Sequence, residues 1–315
     1  MLNERVEDVQ ELIVGENDYY DERNPFSHAW KQIECDETKP NYVRNVKIMT
    51  FDAFESQVIN ANKTSALSLA ESLYAGDCYI LKQAYSPELM RTVKKNAMAF
   101  AEKHDSQFHK MFDGAPNFHR LIDAKSSKLY QSDSRRHIFH FFSWNNDDLG
   151  VINDVYARWQ IFKILSGRSK ETYQTSIPSD GVIDRFHVYH YPAGGGSLTT
   201  HLDPTRNQKT IIAGMMSKRG KDYQTGGIYV MKDATTAVDC ESHLDPGDIL
   251  ICYPSVLHGV APIDPDKEFT WDHDQGRWFL GLYSVDSDYV TKRDSIYTVD
   301  AFFPEKFILA DDVFI

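Results

Sequence analysis

The apolar positions of this chain fall into two regimes. Through the first half they recur at helical intervals interrupted by single strands. Ala66, Leu69, Ala70 and Leu73 lie three and four residues apart, the spacing of one helical face, and the run from Thr64 ends at Ala75-Gly76-Asp77. CYILKQAY, from Cys78, reads as a short strand. Ser86-Pro87-Glu88 starts a helix, because serine caps free backbone N–H groups and proline suits the first helical position. Met90, Val93, Ala97 and Phe100 carry that helix towards His104. Ile138 to Trp144 is dense in aromatics and predicts a buried strand. Asn145 to Asp148 supply cap chemistry for a helix with Val151, Val155, Trp159 and Phe162 on one stripe and Gly167 as its stop. Two segments show little periodicity: residues 1 to about 60, read as an arm with one short strand at Tyr42 to Met49, and Asp105 to Tyr130, read as loop with irregular pieces.

After Pro178 the pattern becomes short strands separated by Gly, Pro and Asp turns. They are Arg185 to Tyr191, Leu198 to Asp203, Thr210 to Met216, Gly227 to Met231, Ala237 to Glu241, Asp248 to Tyr253, Val256 to Val260 and Arg277 to Val285. Eight strands at that spacing predict a closed sandwich or barrel of jelly-roll type. The expected fold is mainly β with flanking helices: a catalytic core over 181–290, a mixed helix and strand extension over 1–180 packed on it, and a C-terminal extension over 291–315.

Composition narrows the partners. A formal net charge of -12 and a pI near 5.4 lack the basic footprint of a nucleic-acid binder. Cys35, Cys78, Cys240 and Cys252 fall at no zinc-like spacing, and a chain of 315 residues needs no disulfides to build a core. The acidic N-terminal stretch has neither a basic nor an apolar targeting region, and no apolar run approaches about 18 residues. A cytoplasmic protein without membrane segments is expected.

The candidate chemistry centres on RFHVYHYPAGGGSLTTHLD, residues Arg185 to Asp203. His201 and Asp203 are two apart, which in an extended chain puts imidazole and carboxylate on one face, two corners of a metal site. Composition alone yields about two His-x-acid pairs in such a chain, and two occur. The other, His243 and Asp245, runs into the Pro246-Gly247-Asp248 turn, where the two side chains need not share a face. His258, between apolar residues in DPGDILICYPSVLHGVAPI, is the best third ligand for a two-His, one-carboxylate site.

The ordered set Tyr191-Pro192 with its glycines, His201-x-Asp203, Gly226-Gly227, Pro246-Gly247-Asp248, His258-Gly259-Val260 and an arginine on the last strand resembles the 2-oxoglutarate/Fe(II)-dependent dioxygenase superfamily, near its phytanoyl-CoA-hydroxylase-like and prolyl-hydroxylase-like branches. The resemblance spans roughly residues 181 to 285. It implies a double-stranded β-helix core, jelly-roll and cupin-like. It implies Fe(II) held by His201, Asp203 and His258, with 2-oxoglutarate and O2 as cosubstrates, and hydroxylation, desaturation or ring closure as the outcome.

The resemblance implies, by order in the chain, that Arg277 takes the far carboxylate of 2-oxoglutarate, with Arg185 and Arg206 as alternatives, and that Tyr191 or Tyr189 donates a hydrogen bond to the bound oxoacid. Two features depart from the family: Arg277 lies 19 residues after His258, a long interval, and Phe279 stands where a small hydroxyl residue is common. Thr210 and Tyr229 are lesser candidates for pocket lining. For the prime substrate, Arg135, Arg136, His137 and Trp144 in RRHIFHFFSWNN are the chemically richest group, and an arginine facing the mouth there would imply a carboxylate or phosphate. The segment 263–276, with Trp271 and His273, is a candidate lid. Three functions follow: an oxygenase of a small molecule such as an amino acid or acyl derivative, an oxygenase of a protein side chain, or a cupin-type metal-binding jelly roll without oxygen chemistry.

Overall fold

The computed structural model describes residues 20–35, 38–123, 126, 134–272, 274–294 and 302–310. Its elements follow the order α1 (Pro25–Ile33), β1 (Val46–Thr50), α2 (Phe51–Ile59), α3 (Lys63–Tyr74), β2 (Cys78–Lys82), α4 (Pro87–Ala101), β3 (Phe118–Ile122), β4 (Ser134–Phe142) and α5 (Ile152–Leu165). Then come β5 (Val182–Pro192), β6 (Gly196–His201), β7 (Ile211–Met215), β8 (Gly227–Met231), β9 (Thr236–Asp239), β10 (Ile249–Cys252), β11 (His258–Ile263), β12 (Gly276–Asp286) and β13 (Lys306–Leu309).

All eight strands expected after Pro178 are present, and apart from the β8–β9 hairpin they alternate between two sheets. One holds β5, β12, β7 and β10 as neighbours, the other β6, β11, β8 and β9. That alternation is the double-stranded β-helix. Strands from the first 180 residues extend the first sheet at both ends, β2 and β1 beyond β10, and β4 and β3 beyond β5. β4 joins the layers, pairing β6 through Ser134 and Arg135 and then β5 from His137 to Phe142.

The helices form where local signals agree with burial. Ser86 Oγ accepts from Leu89 N–H at the start of α4, and Met90, Val93, Ala97 and Phe100 bury one face. Asp147 caps α5 from a distance, its carboxylate accepting from Gly150 N–H at 2.7 Å and Ile152 N–H at 3.0 Å. The region read as an unpatterned arm instead holds α1 and α2. Asn24 caps α1 before Pro25, and Phe26, Ala29 and Trp30 bury an i, i+3, i+4 stripe; Thr50 caps α2 above Phe51, Phe54 and Val58. Each helix spans only 9 residues, so three apolar positions carry the whole signal. The stretch read as loop likewise contains β3, whose FHRLI sequence becomes a strand by pairing with β4. No described helix is long and apolar enough to cross a membrane.

Candidate metal centre

His201 ends β6 and His258 begins β11, and their Cα atoms are partners across the antiparallel ladder. The ring centroids are 4.3 Å apart. Asp203 follows two residues later, its N–H held by the Pro254 carbonyl at 2.9 Å. One donor atom from each of the three lies within 4.8 Å of the other two. His201 Nε2 is 3.9 Å from Asp203 Oδ1, and His258 Nε2 is 3.7 Å from Oδ2.

The backbone sets the tautomers. His201 Nδ1 donates to the Thr199 carbonyl at 2.9 Å and His258 Nδ1 to the Val256 carbonyl at 2.8 Å; a carbonyl only accepts, so each proton sits on Nδ1. Both Nε2 lone pairs then face the carboxylate, the arrangement that metal-bound imidazoles use. Burial, and after it the His258 ring, holds His201 well below its usual range. Burial also raises the Asp203 carboxyl, against the pull of His258, Arg136 and Arg185. Three buried acceptor atoms converge, and a divalent cation is what such a set stabilises; two imidazoles with one carboxylate suit Fe(II).

The other His-x-Asp pair is built differently. His243 lies in a single-turn helix, and Asp245 is exposed, bridged to Lys82 at 3.0 Å and Lys218 at 2.5 Å. Gly247 turns sharply there, with φ at +100° and no room for a Cβ against the Tyr85 carbonyl.

Side chains facing the triad come from the sheet opposite. On β5, Arg185, His187, Tyr189 and Tyr191 alternate onto one face, and register brings Tyr283, Phe279 and Arg277 of β12 beside them. Arg277 is fully buried, with Nε bonded to Glu241 Oε2 at 2.9 Å, Nη2 against Met215 Sδ at 3.3 Å, and Nη1 without a protein partner. Glu241 also accepts from the Tyr223 hydroxyl and from Ile228 N–H at 2.7 Å. Arg277 sits 5.9 Å from the Tyr191 ring and 5.1 Å from Phe279. Tyr189 stacks on Phe279 at 4.4 Å and hydrogen-bonds His187. Arg206 is engaged elsewhere, with Asp286 at 3.4 Å and the Lys292 carbonyl at 3.1 Å.

Strand alternation divides the RRHIFHFFSWNN group. Arg136 turns to the triad side, 5.6 Å from the Tyr189 ring, and its charge reaches Asp203. His137 takes the other face, bonded to His119 at 2.8 Å and stacked on Phe139, and Arg135 lies over the Phe269 ring at 5.7 Å. Trp144 donates to the Ala115 carbonyl at 3.0 Å and stacks on Phe142. Tyr229 pairs in register with Gly259, one residue out of phase with His258, so it faces away from the triad and bonds Thr200 at 2.8 Å. Thr210 is buried, its Oγ1 without a protein partner.

The 263–276 segment packs over the β5–β6 turn. Gly194 N–H bonds the Asp264 carbonyl at 3.1 Å, and the backbone of Phe269 lies so close that a Cβ on Gly194 would be 2.3 Å from its Cα. That turn and His201 are at opposite ends of β6, about 16 Å apart at strand rise. The segment therefore closes the end of the roll remote from the metal centre. His273 lies outside the described residues. What the sequence did not point to is His140 on β4: paired in register with His187, it brings a second imidazole to the triad-facing side.

No family model matches the chain, and no curated protein matches it. Among solved structures, a prolyl-4-hydroxylase from Pseudomonas putida matches with TM-score 0.44 and 10% identity, over 70% of this chain and 97% of that one. JOX2 in complex with 2OG, Fe and JA matches with TM-score 0.43 and 15% identity, over 81% and 82%. A prolyl hydroxylase in complex with a hypoxia inducible factor peptide fragment, from Trichoplax adhaerens, matches with TM-score 0.44 and 12% identity, over 75% and 93%.

Proposed function

We propose that the chain is a non-haem Fe(II)- and 2-oxoglutarate-dependent oxygenase that hydroxylates an unactivated C–H bond of a small molecule, releasing succinate and CO2. The observation that carries this reading is the convergence of His201, Asp203 and His258, both imidazoles presenting Nε2. Bound there, Fe(II) would take up the oxoacid and O2 and supply the oxidising power for C–H cleavage. The chain's own residues do the rest. The Thr199 and Val256 carbonyls keep the two rings aimed with Nε2 presented to the site, and Pro254 anchors Asp203. Arg277 offers Nη1 to the far carboxylate of 2-oxoglutarate beside Tyr191, Tyr189 and Phe279, an apolar and aromatic setting that strengthens a charged hydrogen bond. Glu241 holds Arg277 in place.

The experiment is anaerobic loading with Fe(II) and 2-oxoglutarate, read as a visible metal-to-ligand charge-transfer band, then exposure to O2 and assay for succinate. His201→Ala and His258→Ala are expected to abolish the band, and His243→Ala to leave it intact. Loss of the band in the His243 variant alone would put the metal at the wrong pair and sink the proposal.

A further inference from the structure

The face of the sheet opposite the triad holds a concentration of positive and nitrogen-donor side chains. Register across β3, β4 and β5 brings Arg120, Arg136, His140, Arg185 and His187 onto that one face, since Phe118 pairs with His140, Ile122 with Arg136, and His140 with His187. The His140 and His187 rings meet edge to face at 4.3 Å, and both residues are buried, 6% and 4% exposed. Among the described residues, neither ring nitrogen of His140 has a hydrogen-bond partner, nor do His187 Nε2, Arg136 Nε and Arg185 Nε. His187 Nδ1 shares a hydrogen bond with the Tyr189 hydroxyl, which leaves Nε2 as its unpartnered nitrogen.

Among the described acids nearby, Asp203 of the triad attracts Arg136 and Arg185, and the others are engaged elsewhere. The single carboxylate on these three strands, Asp184, points to the other face and pairs with Lys163. Asp288, whose charge reaches Arg185, is taken up by Arg293 and by Met111 N–H at 2.6 Å. Burial and the neighbouring arginines keep both histidines uncharged, so they act as neutral donors beside fixed cations. Buried donors without acceptors are costly to fold, and guanidinium groups are suited to planar oxyanions. The group also adjoins the metal centre: Tyr189 and Tyr283 lie against His187 and within electrostatic reach of Asp203.

We propose that this face receives the oxyanion of the prime substrate, a small molecule whose carboxylate or phosphate lies against Arg185, His140 and His187 so that a neighbouring C–H bond meets the metal centre. The proposal rests on the oxygenase reading for the identity of the reaction, but the anion site stands on its own geometry.

The test is calorimetric titration of the anaerobic Fe(II)- and 2-oxoglutarate-loaded protein with four matched probes, hexanoate, hexyl phosphate, hexanamide and hexanol. At least one anion should bind tenfold or more tightly than the neutral pair, and which anion wins separates carboxylate from phosphate substrates. Arg185→Met should weaken that anion by about 10- to 100-fold, with Arg185→Lys recovering part of the loss and His140→Phe giving an independent second reduction. The charge-transfer band should persist in these variants, which also shows that they fold. Equal binding of charged and neutral probes, no anion binding by the parent protein, or unchanged affinity in a folded Arg185→Met would each overturn the proposal. So would loss of the band in Arg185→Met alone, because it would assign the residue to the oxoacid. If the parent protein forms no band, the oxygenase reading fails, and the same titration on metal-free protein still decides the anion site.

Discussion

Strand β5 carries two buried polar clusters on opposite faces, and they are built in opposite ways. On the outer face Asp184 receives Lys163 Nζ, Ser284 Oγ at 2.8 Å and the Tyr156 hydroxyl at 3.3 Å, with Lys163 also reaching Ser284 at 2.5 Å. Donors there meet acceptors. One residue along, on the inner face, Arg185 joins His187 and His140, and Arg185 Nε, His187 Nε2 and both His140 nitrogens have no partner among the described residues. A buried polar group left unpaired costs about 1–3 kcal/mol. A fold gains stability from the first arrangement and keeps the second only against something that arrives later. Adjacent residues of one strand thus separate structural from functional polarity more sharply than residue type does.

The largest break in that comparison comes from the outer face. Lys163→Met leaves the Asp184 carboxylate buried without its cation, and the expected loss is about 3–5 kcal/mol in chemical denaturation. Replacing both partners, Lys163→Met with Asp184→Leu, should recover most of it, because the penalty lies in the orphaned charge and not in the missing attraction. A single variant losing under about 1 kcal/mol would mean the outer cluster is no more structural than the inner one.

The inner face should respond with the opposite sign. His140→Phe removes two unpartnered nitrogens and keeps a ring for Phe118, which stacks on His140 at 4.2 Å. A stability gain of about 1 kcal/mol is expected together with weaker anion binding, the trade expected where a site is held ready for a ligand. A clear loss of stability in the denaturation midpoint would place His140 among the structural groups.

Which of these features could be read along the chain follows from how far apart the cooperating residues lie. His201 and Asp203 are legible because the strand period relates them within three residues, and the eight core strands because turn residues punctuate them. His258 needed the order of motifs around it. α1 and α2 carried valid signals, Asn24-Pro25 and Thr50 with apolar positions at i, i+3 and beyond, but each is too short to rise above an aromatic, charged background. Arg136 and Arg185 of the inner cluster were legible as single candidates, but their meeting with the two histidines had no local signature. Whether His140 meets His187 is decided by the register between β4 and β5, whose facing residues are 47 positions apart, and slipping that register by one residue would send His140 to the far side. Arg277 was legible by order, yet its pairing with Glu241 was not, because Glu241 lies in a single-turn helix placed by the return of β9.

The smallest expected effect is a pH dependence that belongs to the inner face alone. His140 faces Arg120, Arg136 and Arg185 with His187 against its ring, and burial first, then those cations, hold its pKa well below the ordinary 6.5; His187 is lowered in the same way. Well above 6.5 both states of the chain carry neutral imidazoles and these residues contribute no slope. Below it the unfolded chain binds protons that the folded one refuses, so stability falls as pH drops, by about 0.7 kcal/mol per histidine between pH 7 and pH 6. His140→Phe should remove one such share, measured as the change in unfolding free energy across that interval, and the Lys163→Met, Asp184→Leu double variant should retain it in full. An identical slope in the parent protein and in His140→Phe would show that the His140 ring accepts a proton freely in the folded state, which its burial beside three arginines does not allow.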